Sequence, residues 1–241
     1  MERKDDIRER VWRLMTEKHV ARFPGARGRI PNFVGSERCA RLLCQLPSWQ
    51  KAKRIKANPD SPQRAIRQRA LEEGKIIYMA VPRLQSLKPF IELDPTHLKV
   101  SPFHASSIKG AAKYGRPVRM EEIKEIDLIV CGSVAVNRKG ARVGKGGGYS
   151  DLEFALLREE GKVDAKTPIV TTVHPLQIVK TEMPMTKHDI PLSAIITPEE
   201  ILSVGPNRQK PRGIYWAMIS QEKIDAIPVL KARKALMKES D

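Results

Sequence analysis

The chain has 241 residues with 41% hydrophobic content, enough for one large domain or two small ones around a real core. Lys and Arg number 44 against 28 Asp and Glu, a formal charge of +16, which favours anionic partners such as nucleotides or nucleic acid; the interspersed acids fit an ion-paired surface equally well. No stretch approaches the roughly 18 apolar residues of a membrane span. "MERKDDIRERVWRLM" has no apolar secretion segment. Cys39, Cys44 and Cys131 match no metal or redox spacing and read as buried thiols in a reducing compartment. The expected location is therefore the cytoplasm.

In chain order, Asp5 or Asp6 is expected to cap a first helix in which Ile7, Val11, Leu14 and Met15 recur at helical spacing. Lys4 and Arg8 lie four apart near its start, where basic groups oppose the helix dipole, so they are candidates for holding an anion; a solvated face is the plainer reading of the spacing. After "RFPGARGRIPNFVG", Ser36 opens a second helix running toward Leu46. "AKRIKANP" reads as a strand, "SPQRAIRQRALEEG" as a helix closed by Gly74, and "KIIYMAVP" as a buried strand ended by Pro82. Residues 84–125 carry turn signals and are expected to form an irregular insertion across one end of the sheet.

"DLIVCGSVAVN", residues 127–137, is the most apolar strand candidate. Behind it comes "GARVGKGGGYSD", then a helix to Glu160 stopped by Gly161. "TPIVTTVH" and "SAIITP" read as strands and "PEEILSV" as a short helix, while "IPVLKARKALMKE" is a basic amphipathic helix suited to docking or a dimer contact. The alternation predicts one α/β domain over 1–241 with a mainly parallel sheet. His19, His97 and His104 have no metal-ligand spacing; His174 follows a strand and is a candidate for the pocket wall, though a satisfied buried histidine is commoner.

A glycine cluster between a buried strand and a helix is where α/β folds bring anions against bare backbone N–H groups. Lys145 is flanked by glycines with no Ser or Thr following, so this is not a P-loop, and Tyr149 stands where a dinucleotide fingerprint has its third glycine. The pattern leaves a generic anion site, or a tight turn with no ligand.

The segment resembles the G-x-R-x-G-x-G-x-G-Y-Y-D signature of the 5-formyltetrahydrofolate cyclo-ligase (methenyltetrahydrofolate synthetase) family. "KDDIRERVW", "RIPNFVGSE", "TPIVTTVH", "HDIPLSAIITP" and "KPRGIYWAMIS" extend the likeness over nearly the whole chain, nearest to the family's methenyltetrahydrofolate synthetase domain-containing branch. The resemblance implies a three-layer α/β sandwich like that of the ribose-phosphate isomerase and CoA-transferase superfamily. It also implies an ATP- and magnesium-dependent closure of 5-formyltetrahydrofolate to the 5,10-methenyl form. In that chemistry the formyl oxygen attacks the γ-phosphate, N10 traps the activated carbon and phosphate leaves.

Carried over by position, Lys4, Arg8, Arg142, Gly144, Lys145, Gly146, Gly147, Gly148, Tyr149 and Ser150 would contact ATP, with Lys145 and Arg142 stabilising the transferring phosphoryl group. Asp60 and Tyr149 would meet the folate-like substrate, and Asp151 and Asp189 the magnesium. Ser193 falls where the pattern H-D-x-x-h-D has its second Asp, which predicts a weakened metal site because a neutral hydroxyl is a poor magnesium ligand. Pro175 also departs from the family, and the usual Tyr-Tyr pair is Tyr149-Ser150. The alternative is a non-catalytic nucleotide- or RNA-binding protein on the same scaffold. Aromatic residues, at 5%, are too scarce for the interleaved stacking platform of single-strand binders.

Overall fold

The computed structural model describes residues 2–205 and 209–239. Helix α1 (Lys4–Glu17) buries Ile7, Val11 and Met15 on one stripe. It starts one residue before the expected cap, so Asp5 and Asp6 sit in its first turn, where acids complement the dipole. Helices α2 (Ser36–Leu43) and α3 (Pro47–Lys51) lead to β1 (Arg54–Ala57), α4 (Arg64–Glu72) and β2 (Ile76–Ala80), the expected strand-helix-strand unit.

The stretch expected to be an insertion instead carries β3 (Phe90–Leu93), α5 (Pro102–Ala105), α6 (Ile108–Tyr114) and β4 (Arg116–Val118). Strand β3 pairs antiparallel with β2 and β4 with β3, extending the sheet. The run 127–137 is not one strand: β5 (Leu128–Cys131) ends at Gly132, and β6 (Ala135–Val136) forms a separate hairpin with β7 (Arg142–Val143). Then come α7 (Tyr149–Glu159), β8 (Ile169–Thr172), β9 (Ala194–Ile196) and β10 (Ile201–Ser203). "PEEILSV" is therefore a turn and a strand, not a helix. Thr197 Oγ1 accepts the N–H groups of Glu199 and Glu200, reversing the chain so that Ile201 pairs with Ile196. Helices α8 (Gln221–Ala226) and α9 (Pro228–Glu239) complete the chain.

The eight-stranded sheet runs β10-β9-β8-β5-β1-β2-β3-β4. Its centre, β9-β8-β5-β1-β2, is parallel, with antiparallel strands at both edges. Side-chain alternation divides the core in two. Leu128 and Val130 pack with Ile7, Leu43 and Ile66 on the α1, α2 and α4 side. Ile129 and Cys131 pack with Phe154, Ile224 and Leu230 on the α7, α8 and α9 side. Helices thus cover both faces, giving a three-layer sandwich. Cys39 and Cys131 are buried and Cys44 half-buried, all as free thiols; burial raises the Cys39 thiol to about 12, which makes it inert.

Candidate functional site

The parallel strands β1, β2 and β5 end at one edge of the sheet, where Asn58, Val81 and Gly132 border a cavity of about 630 Å³. The β6-β7 hairpin delivers Gly144–Gly148 to this edge, and α7 starts from the loop. Gly146 (φ +113°) and Gly148 (φ +63°) adopt backbone that L side chains rarely reach. A Cβ on Gly147 would sit 2.7 Å from the Tyr149 ring. Gly148 caps α7 with no side-chain bond, and among the described residues no protein group accepts the N–H of Gly146, Gly147, Gly148 or Tyr149. A run of open donors at a helix N-terminus is suited to an anion.

Cations from distant segments surround this backbone. Lys4 Nζ donates to both Asp189 oxygens at 2.7 Å, and Arg8 Nε donates to the Gly144 carbonyl at 2.6 Å. Lys145 Nζ stands 3.5 Å from Asp60 Oδ1 with its side chain half exposed. Arg142, only 4% exposed, pairs with Asp151 at 2.5 Å, and Asp151 Oδ1 also accepts the Ile190 N–H at 3.0 Å. Burial opposes the Arg142 charge, but the Asp151 carboxylate outweighs it and holds the guanidinium firmly protonated. For Asp189, burial pushes the carboxyl up, while Lys4 and the Thr186 N–H and hydroxyl pull it below the ordinary value. Lys4, Arg8, Asp60, Arg142, the loop from Gly144 to Ser150, Asp151 and Asp189 all line this one cavity.

Sequence reasoning missed the layer beneath. Lys56, 1% exposed in the middle of β1, forms an ion pair with buried Glu153 of α7 and donates to Asn58 Oδ1 at 3.0 Å; Asn58 Nδ2 donates to Ser150 Oγ at 2.8 Å. Burial pushes the Glu153 carboxyl up, against the pull of Lys56. Arg67, also buried, donates to the carbonyls of Ser106, Asn58 and Asp60, fixing the turn that presents Asp60. Burial lowers the pKa of its guanidinium to about 10. Lys56 and Arg67 lie among other basic residues, and Glu153, a lone charge in the run LEFALL, does not by itself show its partner.

Of the two readings open for His174, the satisfied histidine holds: it does not line the cavity, its Nδ1 accepts the Leu176 N–H and its ring meets the edge of Phe33, a capping role. One expectation is corrected. Ser193 does not stand beside the candidate metal carboxylates, so its departure from the pattern does not weaken that site. It exchanges backbone and hydroxyl hydrogen bonds with Ile169 at the start of β8, the end of the parallel pair opposite the cavity.

Among the described residues no group of three or more His, Cys, Asp or Glu forms a metal cage. Asp151 and Asp189 still fit magnesium arriving on phosphates, which commonly uses one or two carboxylates and otherwise phosphate and water oxygens.

Fold and site together define an α/β protein with a glycine loop of open backbone donors, ringed by cations, at the carboxyl edge of its parallel strands. Residues 1–198 match the 5-formyltetrahydrofolate cyclo-ligase family, and the chain belongs to it. It is 39% identical over 232 residues to the methenyltetrahydrofolate synthase domain-containing protein of Bos taurus, covering 95% of this chain and 61% of that one. The Homo sapiens protein of the same name is 37% identical over 235 residues, covering 96% and 61%. The chain thus spans about three-fifths of the length of these curated relatives. The solved structure of Aquifex aeolicus 5,10-methenyltetrahydrofolate synthetase superposes with a TM-score of 0.53 at 19% identity, covering 90% of this chain and 99% of that one, which shows a shared fold. Among the described residues no helix is long and apolar enough to cross a membrane.

Proposed function

We propose that the protein binds ATP with magnesium in this cavity and converts 5-formyltetrahydrofolate, or a related pterin, to its 5,10-methenyl form. The observation that carries this reading is the convergence of the open loop N–H groups with Lys4, Arg8 and Lys145 in one cavity, whose lining also includes the apolar side chains of Ile30, Val81, Pro82 and Ile108. ATP supplies the phosphoryl group that activates the formyl oxygen for ring closure. The chain's own residues then have four tasks. The loop N–H groups and Lys145 hold the triphosphate and neutralise charge that grows on the transferring group, so no side-chain nucleophile is needed. Lys4 and Arg8 position the α1 end of the same anion. Asp151 and Asp189 would hold magnesium, and Arg142, too buried to roam, orients Asp151 for it. Asp60 offers a carboxylate to the ring N–H groups of the pterin, with Tyr149 beside it.

The test is whether purified protein converts ATP to ADP only when 5-formyltetrahydrofolate is present, with the near-ultraviolet absorbance of the methenyl product rising in step. ATP binding without either signal favours the second reading, a non-catalytic nucleotide- or RNA-binding protein. One observation supports that alternative: both candidate metal carboxylates are already paired with cations. RNA binding that survives saturating ATP and Lys145→Ala would establish it, with affinity falling steeply as salt rises.

A further inference from the structure

The outer face of the glycine loop is covered by a segment beyond the family match, which ends at residue 198. From α8, Lys223 Nζ donates to the Gly147 carbonyl at 2.7 Å and lies 5.1 Å from the centroid of the Tyr149 ring. The same atom sits 3.3 Å from where a Cβ on Gly148 would be. Ser220 Oγ accepts the Lys223 N–H at 3.3 Å, and the next residue, Ile224, is buried in the core, so the backbone that carries this amine is fixed. Half-burying an ammonium is unfavourable unless it finds partners, and the carbonyl and the aromatic face are those partners.

A trans peptide points its C=O and the following N–H in opposite directions. Among the described residues the only cis bond is Phe23–Pro24, so the peptide joining Gly147 to Gly148 is trans. Lys223 draws the Gly147 carbonyl toward a small cavity of about 80 Å³ that also touches Tyr215, Met218 and Asp151. The Gly148 N–H consequently faces the other way, toward the main cavity, which Gly148 lines and Lys223 does not. Arg8 holds the Gly144 carbonyl in a matching way from α1.

We infer that Lys223 is a positioning residue that clamps the Gly147–Gly148 peptide so that the Gly148 N–H is presented to a phosphate oxygen. The C-terminal segment is thereby part of the anion-binding machinery without touching the anion. What the N–H meets rests on the nucleotide reading above; the clamp itself does not.

Lys223→Met and Lys223→Arg in the full chain test it, read without ligand by hydrogen exchange where the loop enters α7, in peptides covering residues 149–156, whose Leu152 N–H donates to the Gly148 carbonyl, and by calorimetric affinity for Mg-ATP. Lys223→Met should speed this exchange by about fivefold or more as local opening becomes easier. It should weaken Mg-ATP by about tenfold, in keeping with the loss of one well-aimed charge-assisted contact. Lys223→Arg should restore both. Exchange unchanged in Lys223→Met overturns the clamp whatever ATP does. Faster exchange with unchanged affinity, in a parent that binds ATP, overturns the claim about the N–H. A parent that binds no ATP, with exchange faster in Lys223→Met and recovered in Lys223→Arg, supports the clamp and removes the nucleotide reading instead.

Discussion

The polar and the apolar parts of the cavity lining are built on different physics. The polar part is over-determined: its loop is bent by glycines at positive φ, tied down by Arg8 and Lys223, and backed by the buried Lys56–Glu153 pair through Asn58 and Ser150. The apolar part comes from Ile30, Val81, Pro82 and Ile108, which lie in connectors, at strand ends or in a short helix, and Ile108 is 48% exposed. Next to Pro82, Arg83 (φ +55°), which lines the cavity, and Leu84 (φ +54°), buried in the core, hold left-handed backbone, a strain that clusters at binding sites. A lining made of fixed donors recognises a constant group such as a triphosphate. A lining made of partly exposed aliphatic side chains recognises shape, and it is where relatives on one scaffold can diverge in substrate.

Damage to the polar part should therefore remove nucleotide and turnover together. The largest effect is expected from Gly146→Val, because a β-branched residue is strained at φ +113° and its side chain projects toward Arg8, 3.8 Å from the first added carbon. Calorimetry should detect no Mg-ATP binding in a protein that still melts cooperatively. Retained affinity would show that the loop backbone is not the anion site.

One layer down, Lys56→Met should cost about 3–5 kcal/mol of folding stability by denaturant titration, since it leaves Glu153 buried without its cation. Replacing both, Lys56→Met with Glu153→Leu, should recover most of that loss. Failure to recover would mean that the pair positions the loop rather than merely satisfying itself.

The sharpest contrast comes from crossing the two parts. Lys145→Ala should weaken Mg-ATP by about 1–2 kcal/mol, the value of an exposed charge-assisted contact, and change pterin affinity less, only through the loose 3.5 Å pairing of Lys145 with Asp60. Ile108→Ala should do the reverse, by about 1 kcal/mol for a partly buried aliphatic side chain. Equal effects of both substitutions on both ligands would erase the distinction between the parts.

How far the sequence reveals these parts follows from how local each signal is. The glycine loop is legible because its unusual backbone is written in consecutive residues, whereas the shared helix face of Lys4 and Arg8 reads more plainly as solvated surface and only the family resemblance sets them beside the loop. Lys56, Glu153 and Lys223 act through contacts between elements remote in sequence, and no local pattern reports such contacts. Strands β3, β4 and β10 were hidden for the same reason: each is three or four residues long, flanked by turn residues, and exists only by pairing with a neighbour. Ser193 shows the limit of motif matching, which assigns a position but not the end of the strand it faces.

The smallest expected effect concerns acid, and it too separates the two parts. Asp189 is buried, and although burial alone would raise its carboxyl, Lys4 and Thr186 hold it below the ordinary value of about 3.9. A carboxyl depressed in the folded state contributes stability above its unfolded value, and that contribution fades as pH falls from about 4 through the folded value. Lys4→Met removes the ammonium and leaves Asp189 with Thr186 and, 4.0 Å away, His188. The native protein should therefore be more stable than Lys4→Met at neutral pH by denaturant titration, and the gap should close below about pH 4 as Asp189 takes up its proton. Ile108→Ala, which touches no titrating group of this kind, should run parallel to the native curve throughout. A gap between native and Lys4→Met that stays constant to pH 3 would show that the Lys4–Asp189 pair adds nothing through charge, and that Lys4 is held in place by packing alone.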